Sequence, residues 1–171
     1  MKKSLALVKT ACDVRDVVAK ARATGQRIGF VPTMGALHAG HVSLVEASKK
    51  DGAFTIVSIY VNPTQFAPSE DLATYPRTME ADVATCSAAG VDLIFAPDNA
   101  EMYPPGDSTR VTPGALADKL CGAFRPGHFE GVCTVVAKLL NIVQPDHAYF
   151  GQKDAQQVAI IRRMVEDLRM P

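Results

Sequence analysis

No apolar stretch of this 171-residue chain is long enough to cross a bilayer as a helix, although 47% of its residues are hydrophobic. A membrane role is therefore not expected, and the apolar content is enough to fill the core of one domain. Net charge is lacking as well. Lysine plus arginine and aspartate plus glutamate stand at 18 each, so there is no positive field to gather nucleic acid, while a small anionic ligand stays open. Cysteine is scarce and unpatterned: Cys12, Cys86, Cys121 and Cys133 show no Cys-x-x-Cys spacing and sit mostly among Ala, Val and Thr. Small buried thiols in a reducing compartment fit this better than disulfides or a metal. A leader is not apparent, because Leu5-Ala6-Leu7-Val8 after Met1-Lys2-Lys3 is cut off by Lys9; a cytoplasmic location is expected. There is no internal repeat and no low-complexity tract.

What is present centres on Pro32-Thr33-Met34-Gly35-Ala36-Leu37-His38-Ala39-Gly40-His41. The apolar run Arg27 to Val31 before it has strand length. His41 to Lys50 after it places Leu44 and Val45 at helical spacing and ends before Asp51-Gly52,. A strand, a glycine-containing turn and a helix start thus meet at two histidines. The first turn of a helix has unpartnered N–H groups and the positive end of the dipole, so it welcomes phosphate. Gly35 and Gly40 let a ligand approach the backbone. His38 and His41 can aim imidazole donors at one anion and stabilise charge developing on a phosphate, which predicts attack on a nucleotide α-phosphate. A zinc pair would need further ligands that this neighbourhood lacks.

In chain order, Leu5 to Lys9 suits a short strand, and Asp13 to Ala23 a helix with Val14, Val17, Val18 and Ala21 on one face,. Phe54 to Val61 reads as a central strand,. The stretch from Asn62-Pro63-Thr64-Gln65-Phe66-Ala67-Pro68 to Tyr75-Pro76-Arg77 has no period, and long irregular loops usually serve a site,. Asn62 and Gln65 leave the carboxyl end of their strand, where open α/β sheets bind ligands; Asn62 also suits a turn cap. Thr78 is expected to cap a helix to Ala89, Val91 to Pro97 a further strand, and Asp98 to Gly114 a loop with a small strand at Thr109 to Thr112,.

A short helix is expected from Ala115 to Cys121. A second long helix, with Val132, Val135, Val136, Leu139, Leu140 and Val143 forming a broad apolar face, follows,. Arg125 and His128 stand at its approach, to meet an anion or another subunit or simply to serve as surface and cap residues. His147 to Gly151 then forms a last strand before Gln152-Lys153-Asp154 and a helix from Ala155 to Leu168. This repeats the construction of the first motif, with Lys153 as a point charge for phosphate and one of Gln156 and Gln157 free to face the crevice. Strands at 27, 54, 91 and 147 alternating with helices predict an α/β fold, a Rossmann-like parallel sheet with helices on both faces.

The decad at 32–41, together with Val61-Asn62-Pro63-Thr64-Gln65-Phe66, Tyr75-Pro76-Arg77-Thr78 and Phe150-Gly151-Gln152-Lys153-Asp154-Ala155-Gln156-Gln157, resembles the pantoate–β-alanine ligases (pantothenate synthetases). The resemblance runs through essentially the whole chain. The histidine tetrad alone is shared with other nucleotidyltransferases and class I aminoacyl-tRNA synthetases.

The resemblance implies ATP-dependent ligation of pantoate and β-alanine through pantoyl adenylate, with release of pyrophosphate and AMP. It implies an ATP site of Met34, Gly35, His38, Gly40, His41, Gly151, Lys153 and Asp154. His41 would be the proton donor, with His38 and Lys153 on the phosphates. Gln65, Gln157, Asn62 and Met34 would meet pantoate. Mg2+ should accompany ATP; the acidic pair linked to the metal in the family appears here as Ala81-Asp82, leaving its protein ligands unassigned. The resemblance also implies a homodimer. Family members continue for roughly another hundred residues, the size of a small domain, so residues 1–171 are expected to be the ATP/pantoate-binding domain with the smaller carboxyl-terminal domain absent. The alternatives are a substrate-binding and dimerisation module with little catalysis, or a nucleotidyltransferase with another acceptor.

Overall fold

The computed structural model describes residues 5–67, 70 and 72–171; the Met1-Lys2-Lys3 start and Pro68 lie outside the described residues. Strands β1 (Ala6–Val8), β2 (Ile28–Thr33), β3 (Phe54–Ile59), β4 (Leu93–Phe95) and β5 (His147–Ala148) form one sheet in the order β1-β4-β3-β2-β5. Every pairing is parallel. The predicted α/β architecture is therefore the observed one, with the Leu5–Lys9 run adding an edge strand beside β4.

Side-chain alternation assigns the two faces. Ile28 and Phe30 of β2, Phe54 and Ile56 of β3, and Leu93 and Phe95 of β4 pack on one side. There they meet α1 (Ala11–Ala23), α6 (His128–Val143) and α7 (Ala155–Asp167). Val31, Val57, Ile59 and Ile94 point the other way, against Val45 of α2 (Ala39–Lys50) and Cys86 of α3 (Met79–Ala88). Each fully buried aliphatic or phenyl side chain contributes about 1.5–3 kcal/mol, so these two seams hold the fold. Thr10 starts α1 by accepting the Asp13 N–H at 3.1 Å.

Chain order and space diverge at β2. From β2 the chain steps through β3 to β4 on one side, then returns through α6 to place β5 on the other. The crevice beyond the carboxyl ends of β2 and β5 is the switch point at which such sheets bind ligands.

Several expectations shift. β2 runs through Pro32 to Thr33. The Phe30 carbonyl accepts from Tyr149 on the β5 side, so Pro32, two residues on, faces the side where β5 has already ended at Ala148. A residue without an N–H costs no ladder bond there. The strand at Thr109 to Thr112 does not form; the Val111 N–H donates to Thr134 Oγ1 of α6 instead. The helix expected over Ala115 to Cys121 is a 3₁₀ turn, Ala115–Asp118, followed by the single-turn α5 (Cys121–Phe124), with Leu120 at φ +50° between them. One further single turn, α4 (Asn99–Met102), lies in the loop after β4. Cys86 and Cys133 are buried as expected, but Cys12 and Cys121 are exposed. Both of the latter lie in a first helical turn that faces away from either seam.

Candidate functional site

The turn after β2 carries the first group of residues. Gly35 has φ +83° and is followed by Ala36 at φ +49°. The Thr33 hydroxyl secures the entry, accepting from the Gly35 N–H at 3.2 Å and donating to the Ser58 carbonyl at 2.7 Å. The N–H groups of Ala36 and Leu37 then converge on the carboxylate of Asp82 in α3, at 3.1 and 2.8 Å. Successive left-handed residues form a concave anion seat, and in this protein its own aspartate fills it.

Helix α2 begins at Ala39, two residues before the expected start, with His38 as its N-cap. The Gly40 N–H donates to His38 Nδ1 at 3.0 Å, and the His38 N–H donates to His41 Nδ1 at 3.3 Å. The N–H groups of His41 and Val42 go to the His38 carbonyl. The first-turn donors that sequence reasoning offered to a phosphate are thus largely taken. A Cβ at position 40 would stand 2.9 Å from His38 Cε1, so this glycine makes room for the capping ring. With each Nδ1 accepting, a neutral imidazole carries its proton on Nε2. The rings are 4.2 Å apart, tilted by 44°, and the Nε2–H groups are the donors left to a ligand.

Burial holds the His41 pKa below 6.5, and neighbouring His38 lowers it further; Asp82 and Asp154 pull upward and Lys153 downward. His41 is therefore neutral at pH 7. The same interactions bring Lys153 and Asp154, after β5, within electrostatic range of the histidines after β2.

The second group leaves β3. Asn62 is 1% exposed and spends its whole amide internally. Its Nδ2 donates to Gln65 Oε1 at 3.1 Å and to the Gly131 carbonyl at 3.2 Å, while its Oδ1 accepts from Tyr103 Oη and Thr64. Asn62 thus caps the 3₁₀ turn Pro63–Gln65 and orients Gln65, leaving no polar atom of its own for a ligand. Helix α6 starts at His128, which is buried, and its Nδ1–H donates to the Gln65 carbonyl at 2.8 Å. Arg125 Nη1 reaches His128 Nε2 at 3.0 Å, and Arg125 forms a bidentate pair with Glu70 at 2.5 and 2.8 Å. That pair holds the Glu70 carboxyl down at about 2. Arg125 and His128 are therefore the mount of Gln65. Burial lowers the His128 pKa, and Asp154 acts on it as it does on His41, so the loops after β2, β3 and β5 converge.

The third group follows β5. Gly151 leads into the 3₁₀ turn Gln152–Asp154 and then α7, with Lys153 and Asp154 exposed. The Gln156 amide is committed to the Leu116 and Lys119 carbonyls and the Cys121 N–H. Gln157 makes no side-chain hydrogen bond among the described residues and is half-buried. Met34 is likewise half-buried, in the turn between Thr33 and Gly35. Among the described residues no cluster of three or more His, Cys, Asp or Glu could hold a metal. Thr78 takes the N-cap position of α3 as expected, but its hydroxyl makes no capping bond and donates to Asp82 Oδ2 at 3.2 Å.

Sequence reasoning passed over Asp82 as a holder of the turn, Gly131 as a docking point and Tyr103 as a partner of Asn62. One signal was available. Asp82 precedes Cys86 by one helical turn on the same buried face, and a buried carboxylate demands donors.

Comparison with known proteins matches residues 6–171 to the family model described as pantoate-beta-alanine ligase. The pantothenate synthetase of Ectopseudomonas mendocina is 59% identical over 166 residues, covering 96% of this chain and 58% of that protein. A crystal structure of pantothenate synthetase from Thermus thermophilus superposes with a TM-score of 0.92 at 50% identity, covering 98% of this chain and 59% of the other. The Francisella tularensis pantoate-beta-alanine ligase complexed with beta-gamma ATP and beta-alanine gives 0.92 at 40% identity, covering 98% and 64%. The chain thus spans somewhat under two thirds of the length of these relatives.

Proposed function

The chain belongs to the pantoate–β-alanine ligase family, and from that premise we propose that it binds ATP and pantoate and serves the ATP-dependent formation of pantothenate. A pantoate carboxylate oxygen attacks the α-phosphorus of ATP, the bond to the bridging oxygen breaks, and pyrophosphate leaves. The β-alanine amine then attacks the acyl carbon of the mixed anhydride, giving pantothenate and AMP. Activation is needed because a free carboxylate is a poor acyl donor.

The observation that carries this reading is the pair of Nε2–H donors fixed by the reciprocal Nδ1 bonds of His38 and His41, with Lys153 close by. Imidazole Nε2–H donors on adjacent rings stabilise charge growing on phosphoryl oxygens, and His41, the more enclosed, acts as the proton donor,. Lys153 adds a point charge on the same phosphates. Met34, Gly35, Gly40, Gly151 and Asp154 line the nucleotide. Gln65, fixed by Asn62 and His128, offers its Nε2, which has no hydrogen-bond partner among the described residues, to pantoate, and Gln157 joins it there.

Mg2+ enters as part of the ATP substrate, neutralising its phosphates. Asp82, the acid retained from the family's pair, has both oxygens committed to Ala36, Leu37 and Thr78, so it does not suit a protein-borne metal site. No helix among the described residues is long and apolar enough to cross a membrane. A cytoplasmic homodimer is the proposed setting.

The test is pyrophosphate release from MgATP with D-pantoate and without β-alanine, alongside calorimetric binding of each substrate. Pantoate-dependent release supports the full reading. Pantoate binding without release assigns this chain the substrate-holding part of the reaction. Release that ignores pantoate and requires a phosphorylated acceptor overturns it in favour of a nucleotidyltransferase.

A further inference from the structure

In a strand-turn-helix phosphate site, consecutive backbone N–H groups of the turn usually face the ligand. Here those of Ala36 and Leu37 face inward, onto a carboxylate that is 2% exposed. Its Oδ2 also accepts from Thr78, and a Cβ at Gly35 would stand 3.0 Å from that atom. Among the described residues, the polar contacts of Asp82 other than the one to Thr78 at the start of its own helix therefore serve the turn. The turn in turn needs holding, because Ala36 at φ +49° occupies a left-handed conformation that an alanine adopts only at a cost,. One residue beyond Leu37 comes His38, whose backbone N–H orients the His41 ring and whose own ring caps Gly40.

We propose that Asp82 is a positioning residue: its carboxylate clamps the Gly35-Ala36-Leu37 turn in its left-handed form, and through that turn fixes the direction of the His38 and His41 Nε2–H donors. It acts as an internal stand-in for the anion that such a seat would otherwise take, so ligand phosphate is met by imidazole rather than by the turn's backbone. The inference deepens the ATP-binding reading above and rests on it.

The experiment compares the native chain with Asp82→Asn, Ala36→Gly and the double variant. The Asn variant keeps shape but turns an amide N–H toward the donors of the turn. Amide exchange at Ala36 and Leu37 and the imidazole nitrogen shifts of His38 and His41 are read by NMR on the ligand-free chain, and ATP affinity is measured in EDTA and in Mg2+. In the native chain, protected amides and Nε2–H tautomers are expected. Asp82→Asn should lose the protection, mix the tautomers and weaken ATP about ten- to a hundredfold, equally with and without Mg2+. Ala36→Gly, which removes the cost of the left-handed residue, should restore part of that loss.

Unprotected native amides would overturn the clamp without any variant having to fold. So would a loss confined to Mg2+ conditions, recovered by more Mg2+ and indifferent to Ala36→Gly, which marks a metal-linked role. A native chain that binds no ATP but keeps its protected amides and tautomers would sink the functional reading while leaving the clamp standing.

Discussion

Replacing Gly131 by Ala tests how firmly Gln65 is mounted. An ideal Cβ at this position of α6 would lie 2.4 Å from the Thr64 carbonyl oxygen, 2.6 Å from its carbon and 2.7 Å from Gln65 Cα. All three are backbone atoms, so no side chain can swing aside. Regaining ordinary contact needs a relative shift of about 1 Å between α6 and the 3₁₀ turn. Two effects oppose each other. Alanine in a helix gains about 0.5–1 kcal/mol over glycine, whereas forcing an extra methyl into a packed contact costs about 1–3 kcal/mol. The same shift stretches the Asn62-to-Gly131 and His128-to-Gln65 bonds, at 3.2 and 2.8 Å, which tips the balance to a net loss of about 1–2 kcal/mol. For a chain of this size that lowers Tm by about 2–8 °C. Displacing a positioning group by about 1 Å can cost on the order of a hundredfold, so pantoate affinity should fall more than stability does. Calorimetric scanning and pantoate titration read the two effects separately. A Gly131→Ala protein with unchanged or raised Tm and native pantoate affinity would show that α6 does not hold the Gln65 turn in place.

Changing His41 to Ala should lower pantoate-dependent pyrophosphate release by about 10²–10⁴-fold with little change in the far-ultraviolet spectrum; an unaltered rate removes His41 from the chemistry. Pantoate affinity should be flat above about pH 6.5 and fall below it. His128 accepts from Arg125 on Nε2, and burial puts its folded pKa under the ordinary 6.5. The unfolded chain therefore binds more protons in the window between the two values, so stability is lost as pH falls through it, and His41 adds to that loss of stability,; protonated His128 can no longer accept from Arg125, which loosens the mount of Gln65. Glu70 differs, since its stabilising pair with Arg125 is complete above 4.5 and fades only as pH approaches about 2. A His128→Gln variant with the same acid limb would exclude His128 as its source. Thiol titration of the native chain should modify Cys12 and Cys121 quickly and spare Cys86 and Cys133, which are buried and have pKa values pushed up to about 11; rapid reaction of all four would contradict the described core.

Legible in the residues alone were the strand-turn-helix at 28–50 and the parallel α/β class, with His38, His41, Gln65, Lys153 and one of Gln156 and Gln157 as candidates for the site. Period-two and helical spacing, glycine punctuation and motif order act within a few residues of each other, so a linear reading reaches them. Tertiary structure alone decided which polar groups stay available. Asp82 meets Leu37 across 45 residues and Asn62 meets Gly131 across 69, while Gln156 is consumed by the 115–121 segment and Gln157 has no side-chain hydrogen bond among the described residues. It also decided that Arg125 and His128 support Gln65, and that the helix-start N–H groups are capped by imidazole. A buried polar atom takes whichever partner the packing of distant elements brings within about 3 Å, and no local rule of sequence encodes that choice.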